Sequence, residues 1–197
     1  MHPFIYLASQ SPRRSQLLTQ LGIAHELLLA TAEEDAESLE EHIPGESPMN
    51  YVQRVTRLKL DAAIRRLQAR GLPMAPVLCA DTTVALGDTI YAKPADAEDA
   101  VRMLTALSGQ THVVLTSVAI GTADQVEQAC SMSDVTFAAM TDAEIRAYVA
   151  SGEPMGKAGA YAVQGLAAAY ISRINGSYTG IMGLPLYETA QLLKKLA

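Results

Sequence analysis

Two strand-like stretches, about 111–121 and 130–139, follow one another with only a short connection between them, and this pairing constrains the fold more than any other feature of the chain. Strands joined so closely can pair only antiparallel, as a hairpin, because a parallel return needs a crossover of a dozen or more residues. Along the chain strand and helix patterns mix without strict alternation. The combination favours an α/β fold on a mixed, twisted, partly antiparallel sheet over a purely doubly wound one.

The punctuation of the other segments is unusually legible. Residues 4–8 read as a short buried strand, followed by a helix over about 12–21 whose Leu17, Leu18 and Leu21 share one face. Ser11 suits its N-cap, Pro12 its first position and Gly22 its stop. Residues 25–30 form a candidate second strand, and a long helix over 48–69 opens at Ser47-Pro48 and closes at Gly71. A third buried strand is expected at 77–80. A hairpin over 83–86 and 89–91 turns at Gly87-Asp88, and Asp96 caps a helix running to about 107. Thr141 and Glu144 form a capping box for a helix to about 150, and Pro185 starts a last helix ending at Lys194-Lys195. No repeat of solenoid period is present, and the Pro/Gly clusters are loop-sized, so residues 1–197 are expected to form a single domain.

Charge and cysteine usage narrow the function classes. With a formal net charge of -6, the surface as a whole repels nucleic acid and anionic membranes, so an anionic ligand requires cations concentrated locally. Cys79 and Cys130 lack the spacing of a zinc site or redox pair and read as free thiols. The first nine residues are too short and lack the basic leader of a secretion signal, and no apolar run reaches membrane-spanning length. A cytoplasmic location is the resulting expectation.

Several residues sit where their type is costly without a purpose. Arg13 and Arg14 fall at the second and third positions of a helix, where the dipole disfavours cations. Either an anion such as phosphate joins them and the helix N–H groups, or they are a solvated pair tied to surface carboxylates. Lys59 projects onto the stripe of Val52, Val55, Ala62 and Ala63, with Arg66 near the same stripe, and either snorkels to the edge or points into a cleft. Asp81 directly follows an apolar strand and should stand at its carboxyl end, where it either activates water, holds a metal or caps a turn. Glu33, Glu34 and Asp35 offer oxygen ligands to Mg²⁺ or Mn²⁺, or are simply solvated. Lys93 lies in a short loop, and residues 156–165 are rich in small residues around Gln164, whose amide can both donate and accept. Tight packing accounts for those small residues equally well.

Taken together, LASQSPRR (7–14), ESPMNYVQRVTRLK (46–59), CADTTV (79–84), KPADAEDAVRMLTALSGQTH (93–112), SDVTF (133–137), EPMGKAGAYAVQG (153–165) and INGSYTGIMGLPL (174–186) closely resemble the Maf family of nucleotide pyrophosphatases. The resemblance spans nearly the whole chain, and the order and spacing of the pieces carry it. It implies a fold like that of inosine triphosphate pyrophosphatases, in two lobes with a central cleft, and a homodimer. It also implies a nucleoside triphosphate substrate bound with a divalent cation, Mg²⁺ or Mn²⁺.

By the same resemblance Asp81 is the general base and, with Glu34, a metal-holding residue. Arg13, Thr82 and Gln164 set substrate choice, and Ser9, Arg13, Arg14, Lys59 and Lys93 hold the phosphates. The segments Ser11-Pro12-Arg13-Arg14-Ser15 and Ala80-Asp81-Thr82-Thr83-Val84 resemble the branch acting on dTTP and UTP more closely than the one acting on 7-methyl-GTP. The implied role is hydrolysis to the monophosphate and pyrophosphate, clearing non-canonical nucleotides, with a link to cell division arrest. The alternative is a nucleotide-binding regulator of division that does not turn its ligand over. Relatives often place Asp before Lys157 and Gly after Tyr161, where this chain has Gly156 and Ala162.

Overall fold

A computed structural model describes residues 4–31, 34 and 38–196. In chain order the elements are β1 (Ile5–Leu7), α1 (Pro12–Gln20), β2 (His25–Leu27), α2 (Pro48–Ala69), β3 (Val77–Leu86), β4 (Thr89–Tyr91), α3 (Ala97–Leu107), β5 (Thr111–Gly121), β6 (Val126–Phe137), α4 (Asp142–Ala150), β7 (Ile171–Asn175), α5 (Tyr178–Ile181) and α6 (Leu186–Lys195). The caps behave as their residue types require. Ser47 accepts from Asn50 N–H, Asp96 from Asp99 N–H, and Thr141 and Glu144 close a reciprocal capping box. Ser11 is the exception: it precedes α1 but its side chain makes no capping bond, and its own N–H donates instead to Ser9 Oγ at 3.2 Å.

The seven strands form one mixed sheet in the order β2-β1-β3-β5-β6-β7, with β4 also pairing with β3. The strands β2, β1 and β3 are mutually parallel, and every other pairing is antiparallel. The β5–β6 hairpin runs from Thr111↔Thr136 to Gly121↔Val126, so β6 begins four residues before the expected strand. Strand β7 and the short helix α5 have no counterpart in the expected elements. Strand β2 also stops at Leu27, short of the expected boundary.

Side chains alternate along β3 and sort into separate cores. Val77 and Cys79 face α2, packing with Leu60, Ala63, Ile64 and Leu67. Leu78 and Ala80 face the other way, onto Leu17 and Leu18 of α1 and Leu192 and Leu193 of α6. Farther along that second face, Val84, Val114, Val135 and Phe137 pack against α3 and α4 through residues such as Leu104, Leu107, Ile145 and Tyr148. Between these two apolar clusters on the one face lies a polar row set by register: Thr82 opposite Thr116, and Thr116 opposite Ser131. This row separates the two apolar clusters on that face.

Candidate active site

The sheet opens at the middle of β3. On one edge β3 pairs with β5 without interruption from Val77 to Ala85. On the other edge β1 pairs only with Val77 and Leu78, and β4 only with Val84 to Leu86. Residues between those contacts have no strand neighbour on that side. Asp81 and Thr82, which point to opposite faces, therefore both reach one cleft of ≈ 1090 Å³. The expectation that Asp81 stands at the end of a strand is corrected here. The strand continues because β5 keeps pairing with it, and the partner that ends is β1.

Asp81 lies on the α2 face, where Lys59 projects from the buried stripe of Val52, Val55 and Ala63. Lys59 Nζ donates to Asp81 Oδ1 at 2.6 Å and to Glu40 Oε1 at 2.7 Å. Lys59 is thus not a snorkelling surface lysine: it bridges two carboxylates, and one of its three N–H donors is left over for a phosphate. Burial works against its charge, but Asp81 and Glu40 outweigh that and hold its pKa above the ordinary lysine value. Glu40 is likewise opposed by burial, yet Lys59, with Lys93 and Arg14 beyond it, keeps its carboxyl below the usual range. Lys93 Nζ stands 4.0 Å from Glu40 Oε2. Asp81 Oδ2 accepts no hydrogen bond from the described residues and is open to the cleft.

Glu40 was not legible as a site residue. It lies in an acidic run that looks solvated, in the gap between the matching family segments 7–14 and 46–59. The structure seats it through a 3-10 turn, Ser38–Glu40, fastened to α2. Tyr51 OH donates to Glu40 O at 3.0 Å, and Arg54 donates to Glu41 O at 2.8 Å while pairing with Glu46.

The two adjacent arginines divide their work. Arg14 is committed: Nε donates to Gly183 O at 2.7 Å, Nη1 to Ser9 Oγ at 3.1 Å and Nη2 to Thr82 Oγ1 at 3.5 Å. Thr82 in turn shares a 3.0 Å hydrogen bond with Thr116, which donates to Gly180 O at 2.8 Å. Arg14 thereby ties α1 to the polar row and to the 180–183 turn. Arg13 makes a single long bond, Nε to Met182 O at 3.4 Å, and pairs with no carboxylate among the described residues. Burial alone lowers its pKa. A half-buried guanidinium without a counter-charge is an anion site.

The opposite wall is the 156–165 loop. Gly159 has φ +66°, and a Cβ there would lie 2.8 Å from Val84 Cγ1, so the loop lies directly on β3. Ala160 shares the left-handed conformation at φ 60°. Gln164 is exposed to the cleft, and its side-chain amide has no partner among the described residues. Lys157 Nζ donates only to the carbonyls of Glu153 at 3.2 Å and Met155 at 3.4 Å. It too was not singled out by its sequence context.

Every residue expected in the site, Ser9, Arg13, Arg14, Glu34, Lys59, Asp81, Thr82, Lys93 and Gln164, lines this cleft. Glu34, however, is engaged by Arg66, with Nη2 at 2.6 Å and Nε bonded to both oxygens, which brings its pKa down to about 2. Glu33 and Asp35 lie outside the described residues. Six basic side chains (Arg13, Arg14, Lys59, Arg66, Lys93 and Lys157) face three described carboxylates (Glu34, Glu40 and Asp81). The cleft is positive in a chain of net charge -6, which is the local concentration an anionic ligand needs.

Comparison with known proteins gives consistent matches. The family model for Maf-like protein matches residues 4–196. The dTTP/UTP pyrophosphatase of Albidiferax ferrireducens is 66% identical over 194 residues, covering 98% of this chain and 97% of that protein. The proteins of the same name from Cupriavidus pinatubonensis (61% over 195 residues; 99% and 98% covered) and Polaromonas sp. (62% over 191 residues; 97% and 95% covered) are similarly close. Among solved structures, a nucleoside-triphosphatase / dITP/XTP pyrophosphatase from Mycobacterium abscessus is similar over 68% of this chain and 74% of that one, at 13% identity and a TM-score of 0.45.

Proposed function

The chain belongs to the Maf-like family, and from that premise we propose that it is a nucleoside triphosphate pyrophosphatase hydrolysing dTTP and UTP to the nucleoside monophosphate and pyrophosphate. The observation that carries the reading is Asp81, with one oxygen on Lys59 and the other open, in a cleft whose cations outnumber its carboxylates. The names of the relatives supply the substrate class.

The chain's own residues support an in-line hydrolysis. Arg13, as the uncompensated guanidinium, binds phosphate oxygens beside the first turn of α1, whose N–H groups lack intrahelical partners. Ser9 Oγ already accepts from Ser11 N–H and Arg14 Nη1, which leaves its hydroxyl proton to donate to a phosphate. Asp81 Oδ2 takes a proton from a water as that water's oxygen bonds to the α-phosphorus. The bond from the α-phosphorus to the bridging oxygen breaks, and pyrophosphate leaves. Lys59 and Arg14 fix Asp81 and Thr82 in place, so the groups meeting the developing charge need not reorganise.

A divalent cation, Mg²⁺ or Mn²⁺, fits the donor set. Asp81 and Glu40 both reach one ammonium, and carboxylate oxygens are the hard ligands such ions prefer. No cluster of three or more potential ligands occurs among the described residues. Asp81 and Glu40 would hold such a cation, which would supply charge neutralisation for the phosphates. Glu34 remains a further candidate only if Arg66 releases it. The family resemblance also supports a homodimer and a cytoplasmic place of action; among the described residues no helix is long and apolar enough to cross a membrane.

Pyrophosphate release from dTTP, UTP, CTP, GTP and 7-methyl-GTP, with Mg²⁺ or Mn²⁺, tests the reading. Turnover confined largely to dTTP and UTP is the expected result. Saturable binding without turnover of any of them overturns it in favour of the regulator.

A further inference from the structure

Glu153 does not itself line the cleft, yet its carboxylate is a fastening point of the loop that forms one wall of it. Oε2 accepts from Leu166 N–H at 3.0 Å, and Oε1 accepts from Tyr148 OH at 2.8 Å and from Ala167 N–H at 3.5 Å. The backbone carbonyl of the same residue accepts from Lys157 Nζ at 3.2 Å. One residue thus binds the loop at both of its ends and joins it to the buried Tyr148 of α4.

Gly165 is built around this contact. A Cβ at that position would stand 2.3 Å from either carboxylate oxygen, so only glycine lets the carboxylate reach the amides of residues 166 and 167. Gln164 immediately precedes that glycine. Its side chain has no partner of its own among the described residues, so its direction depends on the backbone that Glu153 holds. The middle of the loop is held elsewhere, by Gly159 N–H on Ala92 O at 3.1 Å and Tyr161 OH on His112 Nε2 at 2.8 Å, so Glu153 supplies the fastening next to Gln164, in a segment where Gly156, Gly159 and Ala160 adopt left-handed backbone. Several non-extended φ angles in one segment need neighbours that fix them.

We infer that Glu153 is a positioning residue for base selection: by clamping the 153–167 loop it holds Gln164 where the nucleobase is read and Lys157 beside the phosphates. The inference rests on the proposed nucleotide site and assigns its selectivity to a clamp outside the reacting centre. Charge on Glu153 matters because an amide in its place offers a donor to one of the two sides that must both be met by acceptors.

The test measures kcat/KM for UTP and CTP, together with the thermal midpoint, in Glu153→Gln, Gly165→Ala, Tyr148→Phe and Gln164→Ala proteins. Glu153→Gln and Gly165→Ala are expected to lower the UTP:CTP ratio about tenfold, mainly through KM for UTP, and to match Gln164→Ala in that ratio. Combining Glu153→Gln with Gln164→Ala should add little further loss of selectivity. Tyr148→Phe, which retains both amide contacts, provides a milder member of the series should Glu153→Gln fold poorly; it is expected to lower the ratio about two- to threefold. If Gln164→Ala abolishes the ratio while the Glu153 and Gly165 variants change only the thermal midpoint, the clamp is overturned and the site reading stands. If no variant, Gln164→Ala included, alters the ratio, the base-reading assignment fails and the clamp with it.

Discussion

Lys59 Nζ lies 2.6 Å from Asp81 Oδ1, and this contact joins α2 to the one stretch of β3 that has a free edge. The same ammonium holds Glu40 at 2.7 Å, so one cation organises two carboxylates at the mouth of the opening.

Asp81→Asn keeps the shape and the possible contact with Lys59 but removes the proton acceptor. Its kcat should fall by about 10²–10⁴, with KM for dTTP little changed and the far-UV spectrum intact. A variant turning over at the wild-type rate would remove Asp81 from the role of base.

Lys59→Met leaves Asp81 and Glu40 as neighbouring like charges. Breaking a buried pair costs about 3–5 kcal/mol; because these side chains keep 22% and 14% exposure, about 1–3 kcal/mol is the expected loss. Urea unfolding measures it, and adding Glu40→Gln to Lys59→Met should restore part of the stability. Unchanged stability in Lys59→Met would show that solvent already screens the pair.

Arg13 and Arg14 should separate cleanly. Arg13→Ala loses an anion contact and little structure, so kcat/KM is expected to drop about 10–100-fold with the thermal midpoint nearly unchanged. Arg14→Ala leaves Gly183 O, Ser9 and Thr82 without their donor, at a cost of about 1–3 kcal/mol, or a midpoint lower by about 4–8 °C. Equal midpoints for the two variants would contradict this division.

His112 gives the fold an acid-sensitive element. It is 1% exposed, its Nε2 pairs with Tyr161 OH at 2.8 Å, and its Nδ1 has no partner among the described residues. Burial lowers its pKa to about 4. The unfolded imidazole takes up a proton near pH 6.5, whereas the folded one resists until about 4, so stability present above pH 6.5 is lost as the pH falls between those values. The loss is at most about 3 kcal/mol. Comparing urea midpoints at pH 7.5 and 4.5 in wild type and His112→Gln checks it: the variant should lose less, and parallel losses in the two proteins would rule out His112 as the cause.

Much of the fold was legible because its signals are local. Ser47-Pro48 to Ala69, Asp96 to Leu107 and the Thr141–Glu144 box are bounded by residues whose capping preferences act within one turn, and the structure places those helices accordingly. Lys59 was visible for a related reason, as a cation out of place on an apolar stripe. Strand β7 was missed because Ile171–Asn175 is half-exposed at the sheet edge and lacks a clear burial pattern. Its pairing with β6 is the only thing that makes it a strand.

Local pattern and the order of motifs along the chain specify the family, the mixed sheet and most of the residues gathered in the cleft, though not Glu40 or Lys157. Tertiary structure sets what those residues do to one another. It made Asp81 a mid-strand residue at a gap rather than a strand end, because β5 continues where β1 stops. It bound Arg14 and left Arg13 uncompensated, although the two are adjacent, because Gly183 and Thr82 lie within reach of only one of them. It also brought Glu40 onto Lys59 and Glu153 onto the backbone amides of Leu166 and Ala167. Hydrogen bonds and ion pairs act over a few ångströms in space, and separation along the chain carries no record of which groups folding will bring that close.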